Sequence, residues 1–116
     1  MRIATAEIPD EVAGYAATID KIAAHVEDER PDLLVLPEMP FAPWIFHSAV
    51  FDATSWAQIV AQHAEWLDRL AHRVSVPILA SRPTTQNGAR LNQAFYVDGE
   101  RRCFHVGWTR HRRTAL

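Results

Sequence analysis

Residues 33–36 restrict the fold of this chain more than any other segment, because they form an unbroken run of branched aliphatic side chains, Leu-Leu-Val-Leu. A strand with one face in water alternates apolar and polar residues, whereas a strand covered on both faces is apolar throughout. Such strands are typical of parallel sheets, whose strands are connected by helices. The run therefore predicts an α/β fold with residues 33–36 as an interior strand.

The sequence before this strand predicts another strand and a helix. Residues 3–8 form a short apolar run that ends at Pro9, as expected of a buried strand. From Val12 to Val26 the apolar residues recur every three or four positions, which is the spacing of an amphipathic helix. This helix must end before Pro31. Strand, helix and strand in this order predict a right-handed parallel crossover.

A second helix and a third strand are predicted after a proline-rich loop at residues 37–43. The helix is expected to begin near Ser55, which forms a capping-box pattern with Gln58. Its apolar face continues at helical spacing as far as Val74. The third strand is expected at residues 77–80, so the first part of the chain reads β-α-β-α-β.

The last third of the chain predicts antiparallel strands. Residues 83–90 are expected to form a loop, because they contain a proline and an Asn-Gly pair. Strands are expected at residues 91–97 and 101–108, joined by a hairpin turn at Asp98-Gly99. The complete order is β-α-β-α-β followed by a β-hairpin, and the 116 residues are expected to form a single α/β domain.

The composition excludes several classes of protein. Apolar residues make up 48% of the chain, so it can form a hydrophobic core and does not resemble a disordered protein. Cys103 is the single cysteine, which excludes an intramolecular disulfide, and we interpret it as a small buried hydrophobic residue. The N-terminus lacks the apolar segment of a signal peptide, and no apolar run is long enough to span a membrane. We therefore expect a cytoplasmic protein.

Glu38 is the strongest candidate for a catalytic residue, because it lies just past the end of the interior strand. In open α/β sheets, binding sites form beyond the carboxyl ends of strands. A carboxylate that apolar neighbours shield from water is suited to act as a general base, and we expect Met39, Phe41, Trp44 and Phe46 to shield Glu38 in this way. Trp44 and Phe46 are in addition candidates to line a substrate pocket. The alternative is a glutamate that pairs with an arginine at the surface.

The block from Asp32 to Met39, Asp-Leu-Leu-Val-Leu-Pro-Glu-Met, resembles the segment that carries the catalytic glutamate in carbon–nitrogen hydrolases of the nitrilase superfamily. The order of the other segments is also similar, including the asparagine-containing segment at residues 91–95 and the hairpin at Gly99. The resemblance covers the whole chain and corresponds to the N-terminal portion of the family. It implies half of a four-layer αββα sandwich, a homo-oligomer and no cofactor.

The resemblance implies that a small amide or nitrile is hydrolysed by a glutamate, a lysine and a cysteine. The glutamate deprotonates the cysteine, the thiolate attacks the substrate carbon, and the lysine stabilises the intermediate before water releases the product. Glu38 matches the glutamate, and the lysine position is occupied by Arg113, or by Arg112 if the register differs by one. The cysteine is expected beyond Leu116, so we expect the chain to be truncated and inactive alone.

Two other functions remain open from the sequence. A non-catalytic relative could keep the scaffold as a binding or oligomerisation module, and the arginine at position 113 favours this slightly. The arginine-rich end, including Arg110, Arg112 and Arg113, could instead bind nucleic acid. A solvated basic face is the simpler interpretation, because neither an aromatic–basic repeat nor zinc-finger spacing accompanies these arginines. The six histidines lack the spacing of metal ligands, so no metal site is predicted.

Overall fold

The computed structural model describes residues 1–42 and 53–110, apart from the side chains of Ala53, Trp108, Thr109 and Arg110. A short 3-10 helix, Val12–Gly14, precedes the first α-helix. The elements in chain order are β1 (Ile3–Thr5), α1 (Tyr15–Glu29), β2 (Leu33–Val35), α2 (Ala53–Arg73), β3 (Ile78–Gln86), β4 (Ala89–Val97) and β5 (Cys103–Arg110). The β-α-β-α-β order with a following hairpin is thereby confirmed.

The five strands form one sheet in the order β1-β2-β3-β4-β5. β1, β2 and β3 are parallel to one another. β4 is antiparallel to both β3 and β5. Both helical connections step in the same direction along the sheet, and right-handed crossovers then place α1 and α2 on the same face. The sheet therefore has one face covered by helices and one face that they leave open.

The hydrophobic core lies between the two helices and the covered face of the sheet. Alternate strand residues point toward the helices, and the apolar faces predicted for α1 and α2 point back toward the sheet. The buried cluster comprises Ala4, Leu34, Ile78, Ala80, Phe95 and Val97 from the strands, and Tyr15, Ile19, Ile22, Val26, Leu67, Leu70 and Val74 from the helices and the end of α2, together with Leu36 and Phe41.

The open face of the sheet is also largely apolar. Cross-strand pairing aligns Val35, Leu79, Tyr96 and Phe104 in a row across β2 to β5 on this face, and Thr5 continues the row on β1. Ile3 and Leu33 form a second pair on the same face, two residues along. Ile3 is 56% exposed and Phe104 is 49% exposed. An exposed apolar surface of this kind is typical of a contact with another chain or another part of a fold.

Residues 83–90 differ from the predicted loop. β3 and β4 pair without interruption up to Gln86 and Ala89, and only Asn87 and Gly88 form the turn. Both turn residues have positive φ angles, 51° and 76°, as a tight hairpin turn requires. Pro83 is tolerated in β3 because β2 pairs with β3 only as far as Leu79, so that β3 has a neighbour on one side at the proline.

Two other predicted boundaries were wrong. The hairpin between β4 and β5 does not turn at Asp98-Gly99 alone. The Asp98 carboxylate accepts hydrogen bonds from the backbone N–H groups of Glu100 at 2.9 Å and Arg102 at 2.8 Å, and Arg101 adopts the left-handed conformation with φ 65°. The second helix begins at Ala53, so Ser55 lies inside its first turn rather than at the cap. In the described residues, no helix has both the length and the apolarity to cross a membrane.

Candidate active site

Glu38 lies on a loop that leaves the sheet at the carboxyl end of β2. The backbone N–H of Leu36 still donates to the carbonyl of Leu79 at 3.0 Å, which is the last ladder hydrogen bond of β2. Beyond it the chain turns: Met39 has φ 42°, and the N–H of Ala42 donates to the carbonyl of Met39 at 3.1 Å. The loop thus presents Glu38 at the sheet edge where α/β proteins place their sites.

Ser81 of β3 holds the backbone of this loop. Its hydroxyl oxygen accepts a hydrogen bond from the N–H of Met39 at 3.0 Å. Ser81 lies two residues beyond Leu79, where β3 has lost its pairing with β2. The serine side chain therefore takes the place of the next ladder hydrogen bond. It stabilises the left-handed conformation of Met39, which is uncommon for a residue other than glycine.

Asn92 of β4 holds the carboxylate of Glu38. Its Nδ2 donates a hydrogen bond to Glu38 Oε1 over 2.6 Å, across 54 positions of sequence. Asn92 pairs with Pro83, and Ser81 pairs with Ala94, so alternation along the strands puts Asn92 and Ser81 on the same face. This is the open face of the sheet, away from α1 and α2. The carboxylate is therefore presented on the side that the helices leave uncovered.

Phe41 anchors the other end of the loop in the core. Its side chain is fully buried, and its ring meets those of Tyr15 at 5.3 Å and His63 at 5.8 Å in edge-on arrangements. Tyr15 in turn meets Trp66 edge-on at 5.4 Å. Edge-on aromatic pairs are favourable beyond the area that they bury. The loop is therefore held on one side by polar contacts to the sheet and on the other by an aromatic cluster beneath the helices.

His63 is a buried histidine that belongs to this aromatic cluster. It has no exposed surface, and neither of its ring nitrogens has a hydrogen-bond partner among the described residues. Burial, together with the smaller effect of the nearby positive charge of Arg82, lowers the pKa of His63 to about 3. Arg82 is itself held by a hydrogen bond from its Nε to Gln93 Oε1 at 2.8 Å. His63 is therefore neutral at physiological pH.

The structure corrects several expectations for individual residues. Glu38 is exposed rather than shielded, because Phe41 turns into the core instead of packing against the carboxylate. Cys103 is exposed at the start of β5, so its interpretation as a buried residue was wrong. The candidates Trp44, Phe46, Arg112 and Arg113 lie outside the described residues. Across residues 1–42 and 53–110, no group of three His, Cys, Asp or Glu side chains is placed to hold a metal ion.

Sequence reasoning missed the roles of Ser81 and Asn92. The asparagine is a poor strand former in the apolar segment at residues 91–95, and that mismatch is the signal that singles it out. Ser81 carries no comparable signal, because a serine at the end of a predicted strand is unremarkable. Neither contact follows from local sequence, since each depends on which strands become neighbours.

The chain is similar to known proteins in its fold rather than in its sequence. No family profile matches the chain, and no curated protein matches it in sequence. Among solved structures, an amidase from Nesterenkonia sp. AN1, described as a member of the nitrilase superfamily, aligns with a TM-score of 0.61 at 20% identity over 95% of this chain and 42% of its own. A form of that amidase in complex with butyramide gives a TM-score of 0.61 at 21% identity, over 90% and 41% of the two chains.

A second kind of enzyme shares the same architecture. The glutamine-dependent NAD(+) synthetase from Cytophaga hutchinsonii aligns with a TM-score of 0.63 at 15% identity, over 99% of this chain and 19% of its own. The chain therefore has the fold of the nitrilase-superfamily amidases, as its resemblance to that family predicted. It spans less than half the length of each of these proteins.

Proposed function

We propose that this chain is part of a carbon–nitrogen hydrolase that acts on a small amide or nitrile, with Glu38 as the general base. The observation that carries the proposal is the position of the Glu38 carboxylate. It lies just past the carboxyl end of β2 in a nitrilase-like sheet, where Ser81 of β3 holds the backbone of the next residue, Met39, and Asn92 of β4 holds the carboxylate. The amidase neighbour that binds butyramide supports an amide as the substrate.

In the proposed reaction, Glu38 takes the proton of a cysteine thiol, and the thiolate attacks the amide carbon. The C–N bond breaks, and the proton passes from Glu38 to the departing amine. Water then gives a proton back to Glu38 as it attacks the thioester, and the acid product leaves with the thiol restored. Arg113, or Arg112, would supply positive charge to the oxyanion in place of a lysine. Trp44 and Phe46 would line the pocket.

Glu38→Gln should lower kcat for butyramide hydrolysis by roughly 10²- to 10⁴-fold, because the amide cannot take the proton. The assay measures ammonia release by the full protein that this reading frame encodes. Glu65→Gln is the matched control, since Glu65 is an exposed partner of Arg69 on α2. We expect the 116-residue chain alone to release no ammonia. Turnover that survives Glu38→Gln would refute the assignment of the base.

We propose in addition that the 116-residue chain by itself forms a homo-oligomer through the open face of its sheet, which the second sheet of a complete αββα sandwich would otherwise cover. Each of the five strands contributes an apolar side chain to this face, and β5 is an edge strand in the described sheet. Burying such a face removes apolar surface from water. Self-association is also what the alternative candidate, a non-catalytic oligomerisation module, would retain.

Phe104→Lys should shift the 116-residue chain from dimer to monomer in sedimentation velocity. The reason is that the lysine puts a charge on the open face, where Phe104 is 49% exposed. Ala57→Lys, on the exposed side of α2, is the matched control and should leave the association unchanged. A wild-type protein that stays monomeric at high concentration would contradict the proposal. Association without any turnover by the full protein would favour the non-catalytic module.

The remaining proposals concern location and charge. A cytoplasmic location is supported by the free thiol of Cys103 and is tested by cell fractionation. Arg102 forms ion pairs with Asp98 and Glu100 within its own hairpin. One arginine of the basic end is thus explained by local structure, and we do not propose a role in nucleic-acid binding.

A further inference from the structure

The hydrogen bond between Asn92 and Glu38 fixes the orientation of both groups. An ionised carboxylate only accepts hydrogen bonds, so the asparagine must present its NH2 group to Glu38 Oε1, 2.6 Å away. Turning the amide over would place Asn92 Oδ1 against the negative carboxylate. Oε1 is therefore engaged by the sheet, and Oε2 has no partner among the residues that the structure describes.

The stability of the fold does not explain why an asparagine occupies this position. Asn92 Oδ1 is buried and has no hydrogen-bond partner in the described part of the chain. An unsatisfied buried acceptor destabilises the fold, because it loses its hydrogen bonds to water, and asparagine is also a poor strand former. An apolar side chain in β4 would avoid both costs. The contact that Asn92 gains in return is the one to Glu38.

The backbone and the side chain of the Glu38 loop are held by different strands. Ser81 of β3 holds the N–H of Met39, the residue that follows Glu38, and Asn92 of β4 holds the carboxylate. A free glutamate side chain has considerable rotamer freedom, which must be lost before it can react in one geometry. Two fixed points separated by a single strand spacing remove most of this freedom in advance.

We propose that Asn92 is a positioning residue that holds Glu38 by Oε1 and leaves Oε2 as the oxygen that accepts the proton of the nucleophile. This inference rests on the proposed role of Glu38 as general base, and it adds which oxygen reacts and which residue selects it. Asn92 touches neither the substrate nor the nucleophile in this proposal, and it acts only through Glu38.

The first measurement separates positioning from a structural role. Asn92→Leu should leave the urea midpoint of unfolding close to that of wild type, because it removes an unsatisfied acceptor while water solvates the exposed Glu38. Asn92→Asp should destabilise the chain by placing two carboxylates together. The double variant Asn92→Asp with Glu38→Gln should recover the loss, because the glutamine amide donates to the new aspartate. A large fall in the urea midpoint for Asn92→Leu would show that Asn92 is structural.

The second measurement observes the contact directly in the 116-residue chain. The side-chain NH2 signals of Asn92 in a ¹⁵N-labelled sample should shift in Glu38→Gln, because a neutral amide replaces the carboxylate that accepts from this NH2 group. The side-chain NH2 signals of Gln93 are the internal control, because its Oε1 is engaged with Arg82 instead. Asn92 signals that are unchanged in Glu38→Gln would overturn the proposal.

Kinetics of the full protein distinguish this inference from the proposed function. Asn92→Leu should lower kcat by roughly 10- to 100-fold with little change in KM, because a misplaced base slows proton transfer and leaves substrate binding intact. If Glu38→Gln abolishes turnover while Asn92→Leu keeps the wild-type kcat, the positioning role is wrong and the general base stands. If turnover survives Glu38→Gln, the proposed function fails and the positioning role with it.

Discussion

Replacing Phe41 with alanine should reduce the free energy of unfolding by about 3–5 kcal/mol, which is the usual effect of deleting a buried phenylalanine ring. Phe41 has no exposed surface, and its ring lies edge-on between Tyr15 and His63. The cavity would open where the Glu38 loop meets the core. Urea denaturation followed by circular dichroism measures the change, read from the midpoint at constant slope.

Phe41→Leu is the matched control for this prediction. It keeps most of the side-chain volume and should cost less than about 1.5 kcal/mol. Because Phe41 anchors the loop that carries Glu38, the alanine variant should also disturb the NH2 signals of Asn92. Equal losses for alanine and leucine would show that the ring contacts, rather than the filled volume, hold the loop. A loss below about 1 kcal/mol for alanine would contradict the burial of Phe41.

The second large effect is a loss of stability in acid that originates at His63. The pKa of the buried ring lies at about 3 in the folded state, against 6.5 for an exposed histidine. Between these two values the unfolded chain binds a proton that the folded chain does not bind. Stability contributed by the neutral ring is therefore present above pH 6.5 and falls as the pH decreases toward 3, by up to ~5 kcal/mol in all.

His63→Phe isolates this contribution, because phenylalanine keeps an aromatic ring against Phe41 and cannot be protonated. Urea denaturation at a series of pH values from 7 to 4 should give a flatter dependence for the variant than for wild type. His25→Gln is the control, since His25 is exposed on α1 and the variant should keep the wild-type dependence. Identical slopes for wild type and His63→Phe would mean that the His63 ring is hydrated or hydrogen-bonded in solution.

The histidine illustrates why sequence patterns predict the core better than its chemistry. His63 lies on the apolar face predicted for α2 by helical spacing, and it is indeed buried. Its pKa, however, depends on Phe41 and on the charge of Arg82, which lie on other elements. The same holds for Phe41, which was expected beside the Glu38 carboxylate and instead packs beneath the helices. Periodicity identifies the buried face of an element but does not identify its neighbours.

Turns were predicted less well than helices and strands. An Asn-Gly pair was read as part of a loop at residues 83–90, although the pair alone makes the turn between two long strands. Pro83 misled the prediction because a proline is excluded from a strand only where its missing N–H would pair on that side. Whether β2 pairs with β3 as far as Pro83 depends on the register of the sheet, and local sequence does not determine that register.

The sequence by itself determined the order of the elements, the parallel pairing of the strands that the helices connect, and the position of Glu38 at the end of an interior strand. These follow from spacing and strand composition, which act over a few neighbouring residues. Only the tertiary structure decided that Ser81 and Asn92 hold the loop and that Glu38 faces the open side of the sheet. Those contacts span 42 and 54 positions of sequence, and they form because pairing brings β2, β3 and β4 side by side.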